Sequence, residues 1–98
     1  FYRIIRIDVK HPDQQQALDS AQKLANLLRA SLGNRILGPE PPLVARVRNH
    51  YIQTITLKIE RTNISIQKVK ELIRTALLHF ELDKLNAGVR TVIDVDPY

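Results

Sequence analysis

Leu37-Gly38-Pro39-Glu40-Pro41-Pro42, at the middle of the 98-residue chain, leads through Leu43-Val44-Ala45 into Arg46-Val47-Arg48-Asn49-His50-Tyr51 and then Ile52-Gln53-Thr54-Ile55-Thr56-Leu57-Lys58-Ile59-Glu60. Three prolines in four positions remove backbone donors, so residues 38–42 are expected to form a turn, neither helix nor central strand. Apolar and polar residues then alternate with a period of two, which is the pattern of a half-buried strand. Residues 43–48 and 51–60 therefore read as a hairpin. A two-residue Asn49-His50 turn would pair Arg48 with Tyr51 and Arg46 with Gln53, placing both arginines on the apolar face of Ile55 and Leu57. A three-residue turn over 48–50 instead pairs Val47 with Tyr51, Ala45 with Gln53 and Leu43 with Ile55. Facing residues share one side of a sheet, so the second register keeps the apolar residues together and leaves Arg46 outside. It is the predicted one, with Asn49 or His50 in the left-handed position such turns need.

On the N-terminal side, residues 2–10 read as a strand with Ile5, Ile7 and Val9 on one face and Ile4, Arg6 and Asp8 on the other. His11-Pro12-Asp13 breaks it and opens a helix, since proline suits the first turn and aspartate the positive end of the helix dipole. Ala17, Leu18, Ala21, Leu24, Ala25, Leu28 and Leu32 recur at three- and four-residue spacing and predict one buried stripe. Gly33-Asn34 supplies a left-handed stop, and Arg35–Leu37 a short strand. On the C-terminal side, residues 64–81 form a second helix capped by Asn63 or Ser65. Its stripe is Ile66, Val69, Leu72, Ile73, Ala76, Leu77 and Phe80. Asn86-Ala87-Gly88 turns the chain into a last strand, Val89–Val95, with Val89, Thr91, Ile93 and Val95 on one face. The order strand, helix, three strands, helix, strand predicts an α+β two-layer sandwich of split-βαβ type, a mainly antiparallel sheet with both helices on one face. The other face is left open, carrying Arg46, Ile52, Thr54, Thr56, Lys58 and Arg90, with Asp94 for contrast.

A chain of this length, 44% apolar, makes one domain spanning residues 1–98 with a single core. No run reaches the ~20 apolar residues of a membrane span, and there is no secretory leader pattern. Without cysteine there is neither a disulfide framework nor a thiolate zinc site. Without methionine, and opening directly on a strand, the chain reads as a piece of a larger protein. Its charge is uneven. Residues 1–74 hold 13 Lys/Arg against 6 Asp/Glu, net +7, whereas residues 75–98 hold 2 against 4, net −2. A basic body suits a polyanionic partner such as nucleic acid, or is ordinary surface charge.

The chemistry that can be excluded is broad. The three glycines are isolated, so there is no phosphate-cradling loop. His11, His50 and His79 lie in different elements without ligand spacing. Asp94 and Asp96 read as a polar strand edge ended by Pro97 rather than as metal ligands. No residue set supports catalysis by this piece, and none implies a cofactor within it. Arg46, Arg48, Lys58 and Arg61 are the candidate nucleic-acid contacts, able to grip phosphates; the alternative is a solvated hairpin rim. Tyr51 alternates into the core, so packing is favoured over stacking on a base. The lack of paired exposed aromatics argues against a base-stacking sheet of the RRM kind.

Leu37-Gly38-Pro39, then Arg46 and Arg48 leading into Tyr51-Ile52-Gln53, then Leu57-Lys58, and finally Asp94-Val95-Asp96-Pro97 together resemble the C-terminal domain of the PriA family of bacterial primosomal helicases. The likeness covers essentially the whole chain. Each motif is short, and their order and spacing carry the specificity. The resemblance implies a fold like a small-subunit ribosomal protein. It implies a cytoplasmic, nucleoid-associated parent, an ATP-dependent 3′→5′ DNA helicase that recognises stalled forks and restarts replication through primosome assembly. The parent's ATP, magnesium and zinc sites would lie outside this chain. Implied partners are forked or branched DNA, single-stranded-DNA-binding protein and other primosome proteins, with no membrane. The expected role is accessory DNA binding. The alternative is a protein-docking module that positions the helicase lobes or takes the acidic tail of the single-stranded-DNA-binding protein. A small-molecule regulatory domain would want a glycine-lined pocket at a helix start, and none is visible.

Overall fold

The computed structural model describes residues 2–42, 46–47, 49–60, 66–82 and 89–95. In chain order its elements are β1 (Tyr2–His11), α1 (Gln14–Leu32), a single 3-10 turn (Gly33–Arg35), β2 (Ile36–Glu40), β3 (Arg46–Val47), β4 (His50–Glu60), α2 (Ile66–Leu82) and β5 (Arg90–Val95). The sheet runs β2-β4-β1-β5, with β3 paired to β4, and every described pairing is antiparallel. Hence β1 and β2 are parallel with β4 between them, and β4 and β5 are parallel with β1 between them. Two split-βαβ units interlock, as in ferredoxin-like folds, and the predicted α+β sandwich is the observed class. Among the described residues no helix is long and apolar enough to cross a membrane.

Asp13 caps α1 by accepting the Gln15 and Gln16 backbone N–H groups at 2.9 and 3.1 Å. The helix stripe is as expected except at Leu18, which is largely exposed, while Ser20 is buried in the same helix. Gly33 closes the helix at φ +60°. Ile5, Ile7 and Val9 of β1 meet Leu57, Ile55 and Gln53 of β4 and Val95, Ile93 and Thr91 of β5. This odd-numbered face packs on both helices. Leu24 and Leu28 of α1, and Val69, Ile73 and Phe80 of α2, share one buried cluster with Ile5, Ile7, Ile55 and Leu57. The expected caps of α2, Asn63 and Ser65, and the turn at 86–88 lie outside the described residues.

Two expectations need correction. Residues 38–40 are not a free turn: β2 continues to Glu40, with a cis Gly38–Pro39 peptide and a register irregularity between Leu37 and Glu40. Proline is tolerated there because β2 is an edge strand and Pro39 needs no partner on its outer side. The hairpin register also differs. Arg46 faces Tyr51 and Val47 faces His50, so only residues 48 and 49 separate the two strands. Asn49 does take the left-handed conformation, at φ 64°, which suits a two-residue hairpin turn. Arg46 therefore lies on the Tyr51 side of the sheet, not on the open face. The apolar-face argument failed because Tyr51 and its neighbour His11 sit at the sheet's half-buried end. A guanidinium there keeps its hydration, so burial imposes no register.

Candidate functional site

The two predicted contacts among the described residues, Arg46 and Lys58, do not converge. Arg46 is exposed, its guanidinium carbon 5.1 Å from the Tyr51 ring centroid, and it donates to Asn49 Oδ1 at 3.3 Å. This is a cation–π contact that stiffens the hairpin end. Lys58 lies seven residues from Tyr51, about 23 Å along β4, and on the opposite face, where its register partner is Ile4. Arg48 and Arg61 lie outside the described residues.

The register instead assembles a different basic surface. The even-numbered positions of β1 and β4 form the face that carries no helix, with Ile4, Arg6, Asp8 and Lys10 opposite Lys58, Thr56, Thr54 and Ile52. On β5, Arg90 faces Lys10 and Val92 faces Asp8, and position 94 is the partner of Arg6. Ile52, Thr54, Thr56, Lys58 and Arg90 thus stand on the expected face. Two lysine/arginine side chains, Lys10 and Arg90, are directly opposed, which ordinarily destabilises a strand pair. Arg6 and Lys10 were missed as contacts. Their signal was present in the polar alternation of β1, but strand order is needed to see that they join Arg90 and Lys58.

The segment after β2 turns this face into a cleft of about 820 Å³. Arg6, Asp8, Thr54 and Thr56 line its floor, and Glu40, Pro41 and Pro42 its wall. Ile52 sits beneath and is 7% exposed, although it is on the open face. The wall is held from two sides. Gly38, at φ +94°, lies so near β4 that a Cβ would come within 2.8 Å of the Thr54 carbonyl. Its own carbonyl accepts from Arg29 of α1 at 2.6 Å. Within the floor, the Thr54 hydroxyl donates to Asp8 Oδ1 at 2.8 Å.

Other charges near the C-terminal end of α1 are structural. Arg35 Nε donates to Glu60 Oε2 at 2.8 Å, and Arg35 also donates to the Leu32 carbonyl at 3.2 Å. The Arg35 hydrogen bond, helped by a backbone hydrogen bond to Glu60, holds the Glu60 carboxyl below the usual glutamate range. On the helix side, an apolar hollow of about 550 Å³ between α2 and β5 is floored by Ile5, Ile73, Leu77 and Ile93 and edged by Lys70 and Arg74. Among the described residues no group of three or more histidine or acidic side chains is placed to hold a metal ion.

Comparison with known proteins agrees with this architecture. The chain is 26% identical over 100 residues to the "Replication restart protein PriA" of Bacillus subtilis (strain 168), covering all of this chain and 12% of that protein. It therefore spans about an eighth of the curated relative it matches. Among solved structures, a hydantoinase/carbamoylase family amidase from Burkholderia ambifaria superposes with a TM-score of 0.52 over 97% of this chain and 27% of that one. At 18% identity this likeness concerns the fold alone. The family profile described as "Primosomal protein N C-terminal domain" matches residues 1–98 from end to end. The chain belongs to the primosomal protein N C-terminal domain family.

Proposed function

We propose that this domain is the accessory DNA-binding module of a larger ATP-dependent 3′→5′ helicase that acts in replication restart. The open face of its sheet grips phosphates of forked or branched DNA without reading sequence. One observation carries the reading: Lys10 and Arg90 face each other on a helix-free surface that also holds Arg6 and Lys58. Like charges placed together cost stability in the free domain, and a polyanion between them reverses that sign. Arg46, at the hairpin end, extends the contact beyond the face. Arg48 and Arg61 remain candidate contacts on the strength of their sequence positions. In this reading ATP, magnesium and zinc are held by other parts of the parent, which works in the cytoplasm at the nucleoid with primosome proteins.

The test is anisotropy titration of a forked duplex over a salt series. Affinity should fall linearly on a log–log plot. An Arg6→Ala, Lys10→Ala, Arg90→Ala triple variant should lose about 2 to 3 units of that slope. A Lys68→Ala, Lys70→Ala, Arg74→Ala triple on α2 should keep it. Absence of fork binding at ~50 mM salt would remove the proposal.

A second reading is favoured by the hollow between α2 and β5. Its apolar floor and its Lys70 and Arg74 rim suit an acidic peptide with an apolar end, such as the tail of single-stranded-DNA-binding protein. Titrating an acidic, phenylalanine-ended peptide should shift the amide resonances of α2 and leave those of Arg6 and Lys10 in place. A spectrum that does not move counts against docking.

A further inference from the structure

The cleft beside the proline segment has features that phosphate gripping does not need. Its volume is that of a small-molecule site, and it combines a wall of two prolines and Glu40 with a directed polar floor. Pro41 and Pro42 offer flat aliphatic surface opposite the sheet, with Ile52 below. The Thr54 hydroxyl holds Asp8 by one carboxylate oxygen, leaving the second oxygen to accept further hydrogen bonds. Arg6 is exposed on the same strand two residues away and also lines the cleft. The wall cannot swing freely, because Gly38 is pressed against Thr54 and tied to Arg29.

We propose that this cleft receives one unpaired DNA base and favours guanine. The inference rests on the DNA-binding reading above and deepens it by naming the ligand. The base lies between the two prolines and the sheet, with its phosphate on Arg6 and its hydrogen-bonding edge on Asp8. A carboxylate only accepts, so it favours an edge with adjacent donors. Guanine presents N1–H and N2–H together. Thymine presents one N–H between two carbonyls, which the carboxylate repels. A base in duplex has this edge occupied, and extracting it costs a few kcal/mol. A nucleotide already unpaired at a fork junction enters at least cost.

The test uses the 98-residue chain and forks that differ in one unpaired junction nucleotide: guanine, thymine or an abasic site. Guanine should bind about tenfold tighter than thymine or the abasic site. Asp8→Asn replaces an acceptor-only group with one that also donates, so the guanine preference should shrink to about twofold, even as loss of a negative charge beside Arg6 raises affinity for every DNA, a fully paired duplex included. Thr54→Val, which removes the hydroxyl that orients Asp8, should weaken the preference in the same way. Amide spectra of each variant establish that it is folded. Equal affinity for guanine, thymine and abasic forks overturns the inference and leaves phosphate gripping intact. A guanine preference unchanged in Asp8→Asn also overturns it. Loss of binding to every DNA overturns both readings.

Discussion

Gly38 is where one residue's stereochemistry matters most. Its φ of +94° lies in a region that side chains rarely adopt, and a Cβ would meet the Thr54 carbonyl at 2.8 Å and the Glu40 amide nitrogen at 3.1 Å. Gly38→Ala should destabilise the domain by about 2 kcal/mol or more. Gly33→Ala, at φ +60° but with nothing within 4 Å of its Cβ, should cost about 1 kcal/mol from backbone preference alone. Urea unfolding of the pair separates steric from conformational strain, and equal losses would contradict the close approach. Gln53 is the opposite case. Its position on the helix-side face opposite Val9 buries Oε1 with no hydrogen-bond partner among the described residues. Gln53→Met keeps the length and removes the orphan acceptor, so stability should rise by about 1 kcal/mol. A loss would mean that Oε1 is satisfied after all. Gly38 was legible in the sequence as a turn glycine, but its reason was not, since Thr54 is distant along the chain.

Among the elements, β2 and β4 are joined by an ion pair as well as by their ladder. Glu60, the last residue of β4, is paired to Arg35 just before β2. The folded state lowers the Glu60 pKa, chiefly through the Arg35 hydrogen bond. Its stabilising contribution is therefore fully present above the unfolded glutamate pKa and is lost as pH falls through the folded value. Arg35→Gln should flatten the acid limb of a stability–pH curve and leave the shape near neutrality alone. An unchanged acid limb would show that the pair adds nothing in water, as exposed pairs often do. At this scale the sequence was read well for helices and central strands. Their apolar periods are set by the chain's own geometry, 3.6 residues for a helix and 2 for a strand. It was read less well at β2 and β3. These are short edge strands whose pairing depends on which side of β4 they reach, and period says nothing about that.

Across the whole molecule, stability should follow the centre of the sheet rather than the number of apolar residues. Ile7, on the middle strand, is fully buried between Ile55 and Ile93, while Ile93, on the outer strand, is 42% exposed. Ile7→Ala should cost about 3 kcal/mol or more, within the range of buried isoleucine truncations. Ile93→Ala should cost clearly less, and chemical denaturation of both variants measures the gap. Similar losses would mean that β5 is more completely covered than its exposure indicates. The candidate interface also belongs to this scale. Arg6, Lys10, Lys58 and Arg90 come from three strands and share one face, spread over about 20 Å, only through the order β4-β1-β5.

Composition and period by themselves determined the α+β class, the order of elements, the buried stripes of both helices and the inward face of β1. These follow from local geometry, in which neighbouring side chains along one helix or strand decide the outcome. The tertiary structure alone decided the hairpin register that turns Arg46 toward Tyr51. It also converted an expected proline turn into a cleft wall and brought Thr54 to Asp8 across 46 residues. Competing registers and edge placements differ by little free energy within the hairpin. Contacts between distant residues choose among them, and no local pattern encodes those contacts.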